Sequence, residues 1–194
     1  MEQLLSTKLN IPPLRLKLVS RARLTDKLNG GLESKLILVC APAGYGKTTL
    51  VIEWLEKAEY PATWFSLDEG DNDPRRFLYY LIAALRRVDQ GIGSAVEAML
   101  ESPQPPPEEV MLTALMNEIA AVPEPFFLVL DDYHVIHTPA IHQRITALLE
   151  RQPPQMHLIL VTREDPLLPL ARLRARGQML EIRQDDLRFS AVES

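Results

Sequence analysis

The chain has 194 residues, 46% of them hydrophobic and 24% charged, which suits one globular domain and excludes a long disordered chain. A single cysteine, Cys40, excludes an intrachain disulfide, and a net charge of −5 argues against a surface that grips nucleic acid. The uncharged run 36–46 holds proline and glycine and is too short for a bilayer, and no apolar stretch follows a basic N-terminus, so the chain reads as cytoplasmic.

Sixteen prolines, roughly twice the usual share, divide the chain into short segments. Residues 1–18, with Pro12-Pro13, read as an extended lead-in, and 21–29 as a short helix closed by Gly30-Gly31. The apolar run 35–40 (KLILVC) reads as a buried strand, and 47–58 as a helix through Leu50, Trp54 and Leu55. A second strand, 62–67 (ATWFSL), is rich in β-formers. Asp73 followed by Pro74 predicts a helix through FLYYLIAALRRV. Glycines and clustered prolines make 91–107 a loose stretch, followed by a helix over 108–121. Then come strand 126–130 (FFLVL), a helix from Thr138-Pro139 to Arg151, strand 157–162 (HLILVT), a basic helix 170–176 and strand 179–182. Strands apolar on both faces, alternating with helices, predict an α/β fold with a parallel sheet covered on both sides. Ser190 and Glu193 have the spacing of a helix start, which suggests a fragment of a longer protein.

The sharpest motif is APAGYGKTT, 41–49, between a predicted strand and a predicted helix. It matches the phosphate-binding pattern GxxxxGK[ST], with Ala41 in place of the first glycine. Gly44 and Gly46 let successive backbone N–H groups curl around an anion, and the helix N-terminus adds positive potential. Lys47 supplies a mobile charge for the β- and γ-phosphates, and Thr48 a hydroxyl for Mg²⁺. The candidate nucleotide-binding residues are Ala43, Gly44, Tyr45, Gly46, Lys47, Thr48 and Thr49, with ATP or ADP and Mg²⁺ as cofactors. Tyr45 is expected to cover the nucleotide or a neighbouring subunit.

FFLVL ends in Asp131-Asp132, at the usual ligand edge of an open α/β sheet. Asp131 is the candidate Mg²⁺ ligand, with Thr48, and Asp132 the candidate group that activates water. Arg163 follows HLILVT directly and reaches the same edge if that strand lies between the phosphate-loop strand and the acidic strand. The plain alternatives are a solvated strand end and a salt bridge from Arg163 to Glu164 or Asp165. His134, His137 and His142 invite a zinc reading, but His137 precedes a helix cap and Cys40 is in another strand. Cys40 reads as a small core residue. Arg172, Arg174 and Arg176 read as a solvated basic helix, or else as a contact to nucleotide or a neighbouring protomer.

In order, TKLNIPPLRLKLVSRARLTDKL, LILVCAPAGYGKTTLVIEWL, WFSLDEGDNDPRRFLYYLIAAL, FFLVLDDYHVI and VTREDPLLPLARLRARGQMLEI resemble the nucleotide-binding domain of MalT-like, LuxR-type transcription regulators. These are STAND ATPases, relatives of the NB-ARC proteins. The resemblance implies a three-layer P-loop NTPase fold with a parallel five-stranded sheet in order 5-1-4-3-2, of the additional-strand type. It implies that Val19-Ser20-Arg21 sit at the adenine and ribose side, that Asp131 is the Walker-B acid and that Arg163 is the sensor arginine. Residues 1–31 would then be a lead-in and short helix on the adenine side, and 32–194 the ATPase core.

Full-length members of that family continue into a winged-helix lid, a superhelical inducer sensor and a DNA-binding helix-turn-helix. The resemblance therefore implies an ATP/ADP switch with slow hydrolysis, coupling nucleotide state to self-association and to DNA binding by other domains. This chain itself would touch neither DNA nor membrane. Without the lid it is expected to be a monomer that binds ADP and ATP alike. Two other readings remain. One is a P-loop kinase that phosphorylates a small molecule, with the arginines at 172–176 as its lid. The other is a nucleotide-binding scaffold without hydrolysis. Asp131-Asp132 favour water activation over the kinase.

Overall fold

The computed structural model describes residues 4–14 and 21–188; Val19, Ser20 and the 190–193 helix-start pattern lie outside the described residues. The strands are β1 (Leu36–Cys40), β2 (Ala62–Ser66), β3 (Phe126–Asp131), β4 (Met156–Thr162) and β5 (Met179–Arg183). All pair in parallel, in the order β2-β3-β4-β1-β5. That is 5-1-4-3-2 read from the other edge, the additional-strand P-loop NTPase sheet, with β4 inserted between β1 and β3. The helices are α1 (Ala22–Asn29), α2 (Lys47–Leu55), α3 (Pro74–Leu85), α4 (Ser94–Glu101), α5 (Glu108–Ala120), α6 (Pro139–Arg151) and α7 (Leu170–Ala175). None of these described helices is long and apolar enough to cross a membrane.

Alternation along the strands divides the core into two layers, because successive side chains leave opposite faces of the sheet. Ile37, Val39, Phe127, Val129, Ile159 and Val161 pack with Leu24 and Leu28 of α1 and Leu50 and Trp54 of α2. Leu38, Leu128, Leu130, Leu158 and Leu160 pack on the other face with Phe77, Leu81, Leu115, Ile145 and Leu148. The Trp54 ring lies 4.8 Å from Phe127, and its Nε1–H donates to Asn29 Oδ1 at 2.8 Å. The bulk of the indole is thereby buried without stranding its one polar atom.

Two segments differ from the sequence reading. Residues 6–9 form a 3-10 turn rather than extended chain, and they lie against the edge strand β2 and α3, with β3 and β4 between them and β1. The cause is Lys8, buried between Asp68 and the fully buried Asp71, with its ammonium 4.5 Å from the Tyr80 ring centroid. The other is α4, inside the stretch 91–107 that reads as loose. Its first turn is capped from a distance: Glu118 on α5 accepts from the N–H groups of Gly93, at 2.6 Å, and Ala95, at 3.0 Å. Gly93 has φ +82, and a Cβ there would lie 2.3 Å from Ile82 Cγ2. Gly93→Ala should therefore lose about 2–4 kcal/mol, from left-handed strain and overpacking together. A urea midpoint within error of the parent's would refute this.

Candidate nucleotide site

Residues 41–46 leave the C-terminal end of β1 and turn into α2. The turn depends on two left-handed glycines, Gly44 at φ +85 and Gly46 at φ +71. A side chain at either position would strain the backbone. Pro42, Ala43, Gly44 and Gly46 are exposed, so the loop backbone is open to a ligand. Lys47 Nζ donates to the Pro42 carbonyl at 2.9 Å, folding the side chain back across its own loop. Burial lowers the pKa of this ammonium, and the positive charge of Arg163 lowers it further, against Asp132 and Asp131. An anion between Lys47 and Arg163 would relieve their repulsion.

β3 delivers Asp131 to the same edge, where it is only 4% exposed. The Thr48 hydroxyl donates to its two carboxylate oxygens at 3.1 and 3.2 Å. Burial, and then the neighbouring charge of Asp132, push the Asp131 pKa up to about 6, against the Thr48 bond and the Asp132 N–H. A desolvated carboxylate beside a hydroxyl and a second carboxylate is a hard-oxygen donor set that fits Mg²⁺. Because the folded pKa is raised, the contribution of Asp131 to stability is full at low pH and lost as pH rises through about 6. In the metal-free chain, Asp131→Asn should therefore raise stability at pH 7.5 by about 1–3 kcal/mol, with the gain vanishing near pH 4. Equal melting temperatures for the two proteins at pH 7.5 would contradict this.

Asp132 has φ +58, the one positive value outside glycine among the described residues, a conformation that aspartate tolerates better than most. Its side chain is half exposed, and its Oδ1 lies 3.9 Å from His134 Nδ1. Arg163 follows Thr162, which is in register with Cys40 at the end of β1. It is exposed and, among the described residues, has no carboxylate partner, since Asp165 pairs with Arg183 instead. Arg21 precedes α1 and donates from Nη1 to the Tyr45 carbonyl at 3.3 Å, tying the lead-in to the loop. Lys47, Thr48, Asp131, Asp132 and Arg163 are thus brought to one sheet edge, with Arg21 at the flank of the loop.

The known proteins most informative here are transcription regulators. Residues of this chain are 41% identical over 191 positions to the HTH-type transcriptional regulator MalT of Cronobacter sakazakii, and 40% identical to MalT of Klebsiella pneumoniae. The chain is MalT-like in sequence. The MalT-like match covers 98% of this chain but 21% of each relative, so the chain spans about a fifth of their length. Among solved structures, Cdc6p of Pyrobaculum aerophilum superposes with a TM-score of 0.56 at 16% identity, covering 93% of this chain and 49% of that one. That likeness concerns the fold alone. No protein-family model matches the chain.

The other side chains singled out in the sequence of this MalT-like chain are placed as follows. The Tyr45 ring packs into the α1/α2 layer, and its hydroxyl accepts from Gln184 Nε2 at 2.9 Å, so it is held inward rather than left free to cover a ligand. Nothing in the local pattern pointed to Gln184, which arrives from beyond β5. His142 is buried, with its Nδ1 2.9 Å from the Tyr133 hydroxyl. His137 is exposed, and its backbone N–H donates to Asn72. Cys40 is buried, and burial raises its thiol pKa. Arg172 pairs with Glu150, while Arg174 holds Glu181 with both ends of its guanidinium at 2.7 and 2.8 Å. Those bonds, with Arg183, pull the Glu181 pKa down to about 2.

Proposed function

We propose that this chain is an ATP/ADP-binding switch domain of a transcription regulator, with slow Mg²⁺-dependent ATP hydrolysis. The carrying observation is the convergence of Lys47, the Thr48–Asp131 pair and Arg163 on one sheet edge. In this reading the N–H groups of residues 43–49 and Lys47 bind the phosphates, and Thr48 and Asp131 hold Mg²⁺. The metal would supply charge neutralisation at the phosphates. Asp132 takes a proton from the attacking water, and Arg163 neutralises charge on the terminal phosphate. Val19 and Arg21 serve the adenine and ribose side. Residues 1–31 would be a lead-in and 32–194 the ATPase core, working in the cytoplasm. The regulatory part of the reading draws support from the name of the relatives, HTH-type transcriptional regulator. Self-association and DNA binding would then involve the much longer full-length proteins.

The pairing of Arg172 with Glu150 and of Arg174 with Glu181 weighs against the kinase reading, whose lid needs free arginines. Single-turnover hydrolysis with and without Mg²⁺ tests the rest. Asp132→Asn should keep nucleotide affinity and slow hydrolysis by about 100-fold, since the amide cannot accept a proton from water. Asp131→Asn should instead flatten the Mg²⁺ dependence. Equal loss of affinity in both variants would overturn the two assignments, and no hydrolysis by the parent would favour the scaffold reading.

A further inference from the structure

The LDDYHVI segment carries one polar atom that the reading above leaves unused. His134 Nδ1 is buried and, among the described residues, has no hydrogen-bond partner. Two other histidines show what a settled ring looks like here: His142 Nδ1 meets the Tyr133 hydroxyl, and His157 Nδ1 meets the Ser34 carbonyl at 3.1 Å. An unpaired buried nitrogen is uncommon and calls for an explanation. The nearest charged acceptor is Asp132, whose Oδ1 is 3.9 Å away. That is about 1 Å beyond a hydrogen bond, a gap that rotation of the half-exposed Asp132 side chain can close. Lys47 and Arg163 are also near enough for their charges to act on the ring.

His134 itself is held firmly. It lies in the 3-10 turn Tyr133–Val135. Tyr133 is buried and anchored by His142, and the Val135 carbonyl accepts from Asn72 Nδ2 at 2.8 Å. The turn therefore offers a fixed donor to a mobile carboxylate. We propose that His134 is a positioning residue, whose Nδ1–H holds the Asp132 carboxylate toward the attacking water. This rests on the hydrolytic reading above. In the step concerned, water gives one proton to Asp132 while its oxygen bonds the terminal phosphorus. The bridging P–O bond breaks, its electron pair leaves with the diphosphate, and Asp132 later releases the proton to solvent.

The test compares His134→Leu, His134→Asn and His134→Gln, using calorimetry for ATP affinity and single-turnover hydrolysis for rate. Leucine removes the donor and should slow hydrolysis about 10–30-fold, a fraction of what the base itself supplies. ATP affinity should stay within about twofold, because no phosphate contact is lost. The Asn amide nitrogen falls near the position of Nδ1 and should retain most of the rate, whereas the longer Gln should not. In the Asp132→Asn background, His134→Leu should add nothing, because the two residues act as one unit. An unchanged rate in His134→Leu, or the same further loss in the Asp132→Asn background, overturns the proposal. Should leucine destabilise the fold, equal rates for Asn and Gln overturn it as well. A parent that hydrolyses while His134→Leu matches it removes this proposal alone. A parent that binds or hydrolyses no ATP removes the hydrolytic reading and this one together.

Discussion

Lys47→Ala is expected to weaken ATP and ADP binding by roughly 10–150-fold, as read by calorimetry. A charge-assisted hydrogen bond contributes about 1.5–3 kcal/mol, and this ammonium is the only charge the loop itself directs at the anion. Its present partner is a neutral carbonyl, Pro42, which it can leave for a phosphate without breaking an ion pair. The loss should be specific to binding. Lys47→Met, which keeps an apolar stem of similar length at this 9%-exposed position, should melt with the parent and weaken binding to the same degree. Nucleotide binding by either variant at the parental affinity would remove the phosphate-loop assignment.

The largest expected loss of stability lies beside the edge strand β2. Lys8→Met should lower the unfolding free energy by about 3–5 kcal/mol, because it strands a buried carboxylate. Asp71 is fully buried, and besides Lys8 it pairs with Arg76 Nε, at the longer distance of 3.4 Å. The variant also loses the contact of the ammonium with the Tyr80 ring and the pair to Asp68 at 2.8 Å. For a chain of this size the melting temperature should fall roughly 6–20 °C. The double variant Lys8→Met/Asp71→Asn should regain much of the loss, since a neutral amide costs far less to bury and can still accept from the Asp68 N–H. If the double variant is no more stable than Lys8→Met, the stranded charge is not the cause.

Much of the site was legible in residue order because it is built from local rules. A strand, two glycines and Lys-Thr before a helix form a self-contained turn, and Asp131-Asp132 needs only the end of an apolar run. The order of the strands came from resemblance, and parallel pairing of β4 between β1 and β3 then carried Arg163 to the loop. What stayed hidden depends on partners distant in sequence. α4 looked like loop because the acceptor for its first turn is Glu118, more than twenty residues on. Tyr45 looked like a cover for the nucleotide or a neighbouring subunit because Gln184, which bonds its hydroxyl, is 139 positions away.

By itself, then, the sequence determined the alternation of buried strands and helices, the phosphate loop and the acidic strand end. All of these follow from periodicity and from backbone freedom at adjacent positions. Tertiary structure alone decided that Lys8 seals the β2 edge, that His134 keeps an unpaired nitrogen near Asp132, and that burial holds the Asp131 pKa near 6. The reason is physical. Desolvation and charge pairing depend on what surrounds a group in space, and those surroundings come from chain segments whose spacing in sequence carries no signal.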